Sequence, residues 1–222
     1  MLIKTEALVL RKTAYAENSA IVHVFTQTHG VLSFIFSSVQ GKKGKGAALR
    51  PGCFIELVFY YKNNQQLLRA KETKAIEPFL IEDPVRSNIA LLCTELVKNS
   101  VPDEMPDENL FTALKTEFSR LYRASSLELW FIHKFIIKLC EATGHSLISS
   151  SETKHIHTGM NFLFWDKTDQ FLIETLQKNQ QPEGDRECRR KLAEKMLDYM
   201  KQVVFPGKEI RTFRIISEVF DA

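Results

Sequence analysis

Hydrophobic and polar residues alternate at a period of two through the first third of the chain and at a helical period through most of the remainder. Residues 2–11 set Leu2, Lys4, Glu6, Leu8 and Leu10 against Ile3, Thr5, Ala7, Val9 and Arg11, which predicts a strand and leaves open which set faces inward. AIVHVFTQ (20–27) and VLSFIFSS (31–38) are rich in β-branched and aromatic residues, and Thr28-His29-Gly30 between them supplies the glycine of a hairpin turn. CFIELVFYY (53–61), a Lys62-Asn63-Asn64 turn and QQLLRAKETKAIEP, closed by Pro78, complete five strands within about 80 residues. Five such strands predict a small barrel.

From Glu82 the period changes. Asp83-Pro84 supplies an N-cap and a first-turn proline, and Ile89, Leu92, Leu96 and Val97 recur at helical spacing. After a polar, proline-bearing connection at 101–109, Leu110, Leu114, Phe118 and Leu121 form the stripe of a second helix. Ser125 and Glu128 have capping-box spacing ahead of LELWFIHKFIIKLCEAT, which is stopped by Gly144 and is apolar around most of its circumference, as a central helix would be. Residues 145–184 lose the period and predict an irregular insert, with NFLFWD (161–166) as a short strand. A helix returns at 185–204 with Leu192, Met196, Tyr199 and Val203 on one face, and after Pro206-Gly207 a last short helix carries Phe213, Ile216 and Phe220. The expectation is an α+β, multi-domain chain: a barrel over 1–80 and a helical domain over 81–222.

Charge divides the chain at the same place. Residues 1–80 carry 11 basic and 5 acidic side chains, whereas 81–222 carry 19 basic and 22 acidic. Four cations, Lys42, Lys43, Lys45 and Arg50, are interleaved with Gly41, Gly44 and Gly46 in one loop between two strands. Such a loop suits a phosphate backbone, because each cation that pairs with a phosphate releases condensed counterions. Arg11, Lys12, Arg69 and Lys71 on neighbouring strands extend the expected surface, and outward-facing members of Phe34, Phe36, Phe54, Phe59, Tyr60 and Tyr61 would stack on bases.

Catalytic and metal chemistry are not expected. No nucleophile stands in a recognisable strand-turn-helix setting, and GKKGKG lacks the spacing of a phosphate-binding G-x-x-x-x-G-K-[ST] loop. His145, His155 and His157 come without a C-x-x-C pair, and Asp103, Glu104, Asp107 and Glu108 read as a solvated, helix-capping stretch and not a nuclease's metal cluster. His133 and Trp130 read as core. Cys53, Cys93, Cys140 and Cys188 are scattered within apolar or helical patterns, the start is too charged for a signal peptide, and no run of about 18 apolar residues appears. A cytoplasmic protein with reduced thiols and no membrane partner is the expectation.

The opening MLIKTEALVLRKTAYAENSAIVHVFTQTHGVLSFI, the basic loop, the proline at 51 and RRKLAEKMLDYMKQVVFPGKEIRTFRIISEVF together resemble the bacterial recombination mediator family RecO. The resemblance implies an OB-fold barrel followed by a helical domain, binding of single- and double-stranded DNA, strand annealing and assistance in loading RecA. It further implies RecR and the single-strand binding protein as partners, and no cofactor here, because the region where some relatives carry a four-cysteine zinc site has no cysteine pair. Arg50 departs from the neutral polar residue common in that family. An RNA-binding barrel would use the same cations and aromatics. For the acidic, apolar-ended tail of single-strand binding protein, an apolar groove is expected with Lys134 and Lys138, spaced i, i+4, and Arg120 and Arg123 as its cationic rim.

Overall fold

The computed structural model describes residues 1–37, 48–61, 66–76, 83–103, 105–148 and 164–212. Five strands, β1 (Leu2–Tyr15), β2 (Ser19–Thr26), β3 (Gly30–Ser37), β4 (Phe54–Tyr60) and β5 (Leu68–Ala75), close into a barrel in the order β1-β2-β3-β5-β4. Every neighbouring pair is antiparallel except β3 and β5, which run parallel at Phe34–Leu68 and Ile35–Arg69. This is the five-stranded OB-fold barrel. Its core is built from one face of each strand, including Ile3, Ala7, Val9, Val22, Val24, Phe34, Phe36, Ile55, Leu57, Phe59 and Leu68. Of the two sets in β1, the one beginning at Ile3 therefore faces inward.

The alternation breaks at Leu10. Val9 pairs with Val24, but Arg11 pairs with His23, so Leu10 is an extra residue in β1. Beyond it the facing is reversed. Arg11, grouped by simple alternation with Ile3 and Val9, points outward, and Lys12 takes the inward row with Val22 and Phe34.

Two helices complete the barrel's compact unit, Met1–Ala124. In α1 (Pro84–Ser100) Asp83 accepts from the amides of Val85 and Arg86 with Pro84 in the first turn, as its sequence predicts. In α2 (Glu108–Arg123) Asp107 accepts from Leu110 N at 2.8 Å, and Leu110, Leu114, Phe118 and Leu121 are all buried. Arg86 joins the two, donating to Leu121 O and Ala124 O at 2.7 Å each. The helices cover Leu8, Phe25 and Phe54, neighbours in register on the outside of the barrel: Phe111 lies 6.0 Å from Phe25 and 5.8 Å from Phe54, and Phe118 lies 6.0 Å from Phe54. Gly52 makes the close approach possible. It has φ +89°, a Cβ there would lie 2.3 Å from the Tyr122 hydroxyl, and that hydroxyl donates to Gly52 O at 2.9 Å. Strands give way to helices near residue 80, but the compact units divide at Ala124, which assigns α1 and α2 to the barrel.

The second unit runs from Ser125 to Ala222. Its central helix, α3 (Phe131–Ala142), buries every residue from Phe131 to Cys140 except Lys138. The expected Ser125–Glu128 capping box does not open it: the N-cap is Trp130, with no side-chain cap bond. Glu128 instead pairs at 2.6 Å with Lys134, whose side chain is 5% exposed, and a buried ammonium outcompetes a backbone amide for a carboxylate. Part of the region read as irregular is helical. Asp166 and Asp169 form a reciprocal capping box that starts α4 (Lys167–Gln177), so Phe164 to Asp166 lead into a helix and not a strand. Asp185 caps α5 (Arg186–Tyr199), and a π-helical turn at Met200–Val204 follows, which takes Val203 off the buried stripe of Leu192, Met196 and Tyr199. The expected last helix, from Phe213 onward, lies outside the described residues.

His133 is fully buried beside Trp130, with its Nε2 2.8 Å from Arg189 O. Burial pushes its pKa from 6.5 down to about 4. The folded state therefore resists a proton that the unfolded chain accepts, so this contribution to stability is present above pH 6.5 and is lost as pH falls toward 4. In urea unfolding at pH 7 and pH 5, the wild type is expected to lose about 2 kcal/mol more between the two than His133→Gln does.

Candidate nucleic-acid interface

Pairing register across β1, β2 and β3 lines up outward-facing residues in rows. Arg11, His23 and Ser33 form one row; Thr13, Ile21 and Ile35 form the next, which Arg69 of β5 continues; Tyr15, Ser19 and Ser37 form the last. Between these rows lie the inward-facing Val22 and Phe34, and then Ala20 and Phe36. The result is one sheet face with two arginines at its margins, a shallow apolar centre of Ile21 and Ile35, and Tyr15 exposed at 51%. Aliphatic and aromatic surface between guanidinium groups is the physical requirement for holding bases and phosphates together.

The expected cations divide into three groups. Arg11 and Arg69 stand on this face, and Lys71, also exposed, lies on the adjoining wall with its Nζ 5.9 Å from the ring centroid of Tyr60. Arg50 is exposed on the segment that returns from the basic loop. Leu49 beside it is buried in the barrel core, and Gly52 N donates to Val9 O at 2.8 Å while Val9 N donates to Cys53 O at 2.9 Å, which fixes the segment against β1 next to the bulge. Lys42, Lys43 and Lys45 lie outside the described residues, in the segment that begins one residue after Ser37. Lys12 is half-buried on the inward row and does not join the outer face. Among the described residues no carboxylate pairs with Arg11, Arg50 or Arg69, in contrast to Lys4 with Glu56 at 3.0 Å and Lys115 with Glu6 at 2.6 Å elsewhere in the unit.

Of the aromatics considered from sequence, Phe34, Phe36, Phe54 and Phe59 are core, Tyr61 is half-buried, and Tyr60 is exposed at 56%. Tyr15 and His23 were not among the expected site residues; Tyr15 shares Arg11's face by alternation along β1, and the register shift at the bulge sets His23 opposite Arg11. His23 Nδ1 lies 2.9 Å from Ser33 Oγ. Partial burial, and then the charges of Lys98 and Arg11, hold its pKa below the usual value, with Asp103 acting in the opposite sense.

The expected partner-binding cations fare differently. Arg120 and Arg123 line an open groove of about 550 Å³ along α2 with Lys115, Thr112, Thr116 and Ser119, and Arg120 also holds the buried carboxylate of Glu117 at 2.9 Å. Lys138 is exposed on α3. Lys134 is not at a rim: it is buried, paired with Glu128 and donating to Asn179 Oδ1 at 3.2 Å. Asn179 holds φ 58° just after α4, a conformation asparagine tolerates, and this aims its side chain at the ammonium. His145 Nδ1 lies 3.3 Å from Thr143 Oγ1, and His155 and His157 lie outside the described residues. No helix among the described residues is long and apolar enough to cross a membrane.

Residues 1–79 match the family described as Recombination protein O N terminal. The chain is 35% identical over 121 residues to a DNA repair protein RecO of Flavobacterium psychrophilum and 34% identical over 119 residues to one of Bacteroides fragilis, covering 52% of this chain in each case. These matches span about half of the relatives' own length, 51% and 49%. A DNA repair protein RecO of Azobacteroides pseudotrichonymphae is 24% identical across the whole of both chains.

Because Lys134 is buried against the half-buried Glu128, Glu128→Gln is expected to leave an uncompensated ammonium and to destabilise the protein by about 3 kcal/mol. The double variant Glu128→Leu/Lys134→Met, which removes both charges at similar volume, is expected to recover most of that loss in urea unfolding.

Proposed function

We propose that this chain, whose residues 1–79 match the Recombination protein O N terminal family and which is similar to DNA repair proteins RecO, is a non-enzymatic recombination mediator that binds single- and double-stranded DNA, anneals complementary strands and assists the loading of RecA in the cytoplasm. The observation that carries this reading is the outer face of β1–β2–β3. There Arg11 and Arg69, without carboxylate partners among the described residues, flank Ile21, Ile35 and Tyr15 at the margin from which the basic loop departs. Cations near carboxylates are largely neutralised before a ligand arrives; cations without them keep their charge for phosphate. The aromatic and aliphatic surface between them is sequence-tolerant, as annealing any complementary pair requires.

RecR and the tail of single-strand binding protein complete the proposal as partners. The groove on α2 with Arg120 and Arg123, in the first unit, is the place we assign to an acidic tail; Lys138, exposed on α3, belongs to the second unit, and the buried Lys134 leaves the set.

Fluorescence anisotropy of labelled single strands and duplexes at several salt concentrations tests the DNA reading. A single-strand contact contributes about −0.7 to the slope of log affinity against log salt, so Lys42→Gln/Lys43→Gln/Lys45→Gln is expected to flatten the slope by up to about two units. Slope and affinity unchanged by the triple variant would exclude the loop from the interface. Tighter binding of RNA than of DNA of the same sequence would favour an RNA-binding role instead.

A further inference from the structure

Arg11, His23 and Ser33 lie side by side on three consecutive strands, on the outer barrel face. Ser33 Oγ occupies the Nδ1 side of the His23 ring at 2.9 Å, and no described group takes Nε2. Arg11 is exposed beside it and makes no ion pair with a described residue. The arrangement places up to three donors, two from a guanidinium and one from an imidazole, along one row.

We infer that Arg11, His23 and Ser33 form a phosphodiester-binding step on the barrel face, in which His23 Nε2–H and the Arg11 guanidinium donate to the same phosphate of a bound single strand. The inference rests on the DNA-binding reading and adds to it a residue and a proton. Ser33 fits both states of the ring. Its hydroxyl donates to Nδ1 when the ring is neutral, which leaves the ring's own proton on Nε2, and rotates to accept when Nδ1 is also protonated, so Nε2–H is a donor throughout.

The charged groups around His23 are Arg11 from β1, Lys98 from α1 and Asp103 from the connection to α2. Two cations and one anion, together with partial burial, favour the neutral ring in the unliganded protein. A phosphate at Nε2 reverses that balance, since an opposite charge within hydrogen-bond distance favours the charged form. Binding a single strand therefore takes up a proton at this position, and by linkage affinity rises as pH falls. A generic basic surface of lysines and arginines has no such dependence near neutrality, because its cations are already protonated.

The test is anisotropy of the full chain with a labelled oligo-dT strand, whose bases do not titrate in the range used, at constant salt from pH 8 to pH 6. The wild type is expected to bind more tightly toward pH 6, by up to about tenfold per pH unit for one proton taken up. His23→Gln, which removes the titrating ring, is expected to lose most of the rise between pH 8 and pH 6, whatever its affinity at pH 8. An imidazole NMR titration of wild-type protein, in which the His23 resonance shifts to a higher midpoint when oligo-dT is added, gives the same answer without a variant. A flat wild-type profile, a rise retained in His23→Gln, or a His23 midpoint unmoved by oligo-dT overturns the inference. If oligo-dT does not bind at any pH, the DNA-binding reading fails, and this site with it.

Discussion

The bulge at Leu10 separates the two faces that a single long strand presents. Before it, the outward positions of β1 carry Leu8, which with Phe25 and Phe54 makes an apolar band under α1 and α2; after it, they carry Arg11, Thr13 and Tyr15 in solvent. A regular strand would have put Arg11 into the row of Ile3, Ala7 and Val9, where a guanidinium has no compensation. One extra residue lets the same hydrogen-bonded ribbon serve as a docking wall for helices at one end and as a charged, half-apolar surface at the other.

The distribution of carboxylates follows that division. Glu6 engages Lys115, Glu56 engages Lys4 and Asp83 engages Arg86, all on strands or helices of the covered side. On the open side the arginines' neighbours in register are serines, threonines and isoleucines, while Asp103 acts on His23 and the exposed Glu17 lies in the turn after Tyr15. Arg11 and Arg69, without carboxylate partners among the described residues, thus leave positive charge open on this surface. The first unit's overall excess of basic residues is modest, but its field is local, and a local field is what attracts a polyanion.

The five strands were legible because β-branched and aromatic residues alternate between clear turn signals, and α1 and α2 because Asp83-Pro84 and Asp107 are local caps followed by apolar stripes. What sequence concealed depended on partners far along the chain. Nothing local in β1 marks Leu10 as extra; the shift exists only against β2. Lys134 looked like half of an exposed i, i+4 pair, but its environment is set by Glu128 from the preceding turn and by Asn179, 45 residues on. The start of α4 was hidden because its capping box uses two aspartates, Asp166 and Asp169, in place of the commoner serine or threonine with glutamate. The candidate surface was therefore half visible: Arg11 and Arg69 could be named from charge, but their shared face, and the place of His23 opposite Arg11, is a property of register.

The apolar band of Leu8, Phe25 and Phe54 has a consequence for how the chain comes off the ribosome. All five strands are translated before the helices that cover the band, and 48 residues separate the end of β5 at Ala75 from the end of α2 at Arg123. At elongation rates of about 5 to 20 residues per second that interval lasts roughly 2 to 10 s, far longer than a small barrel needs to collapse. For that time a nascent barrel would display two phenylalanines and a leucine to the crowded exit region. Vectorial synthesis therefore leaves this first unit with a window of stickiness that closes only when Phe111 and Phe118 arrive, and the nascent chain is most open to capture by chaperones during that window.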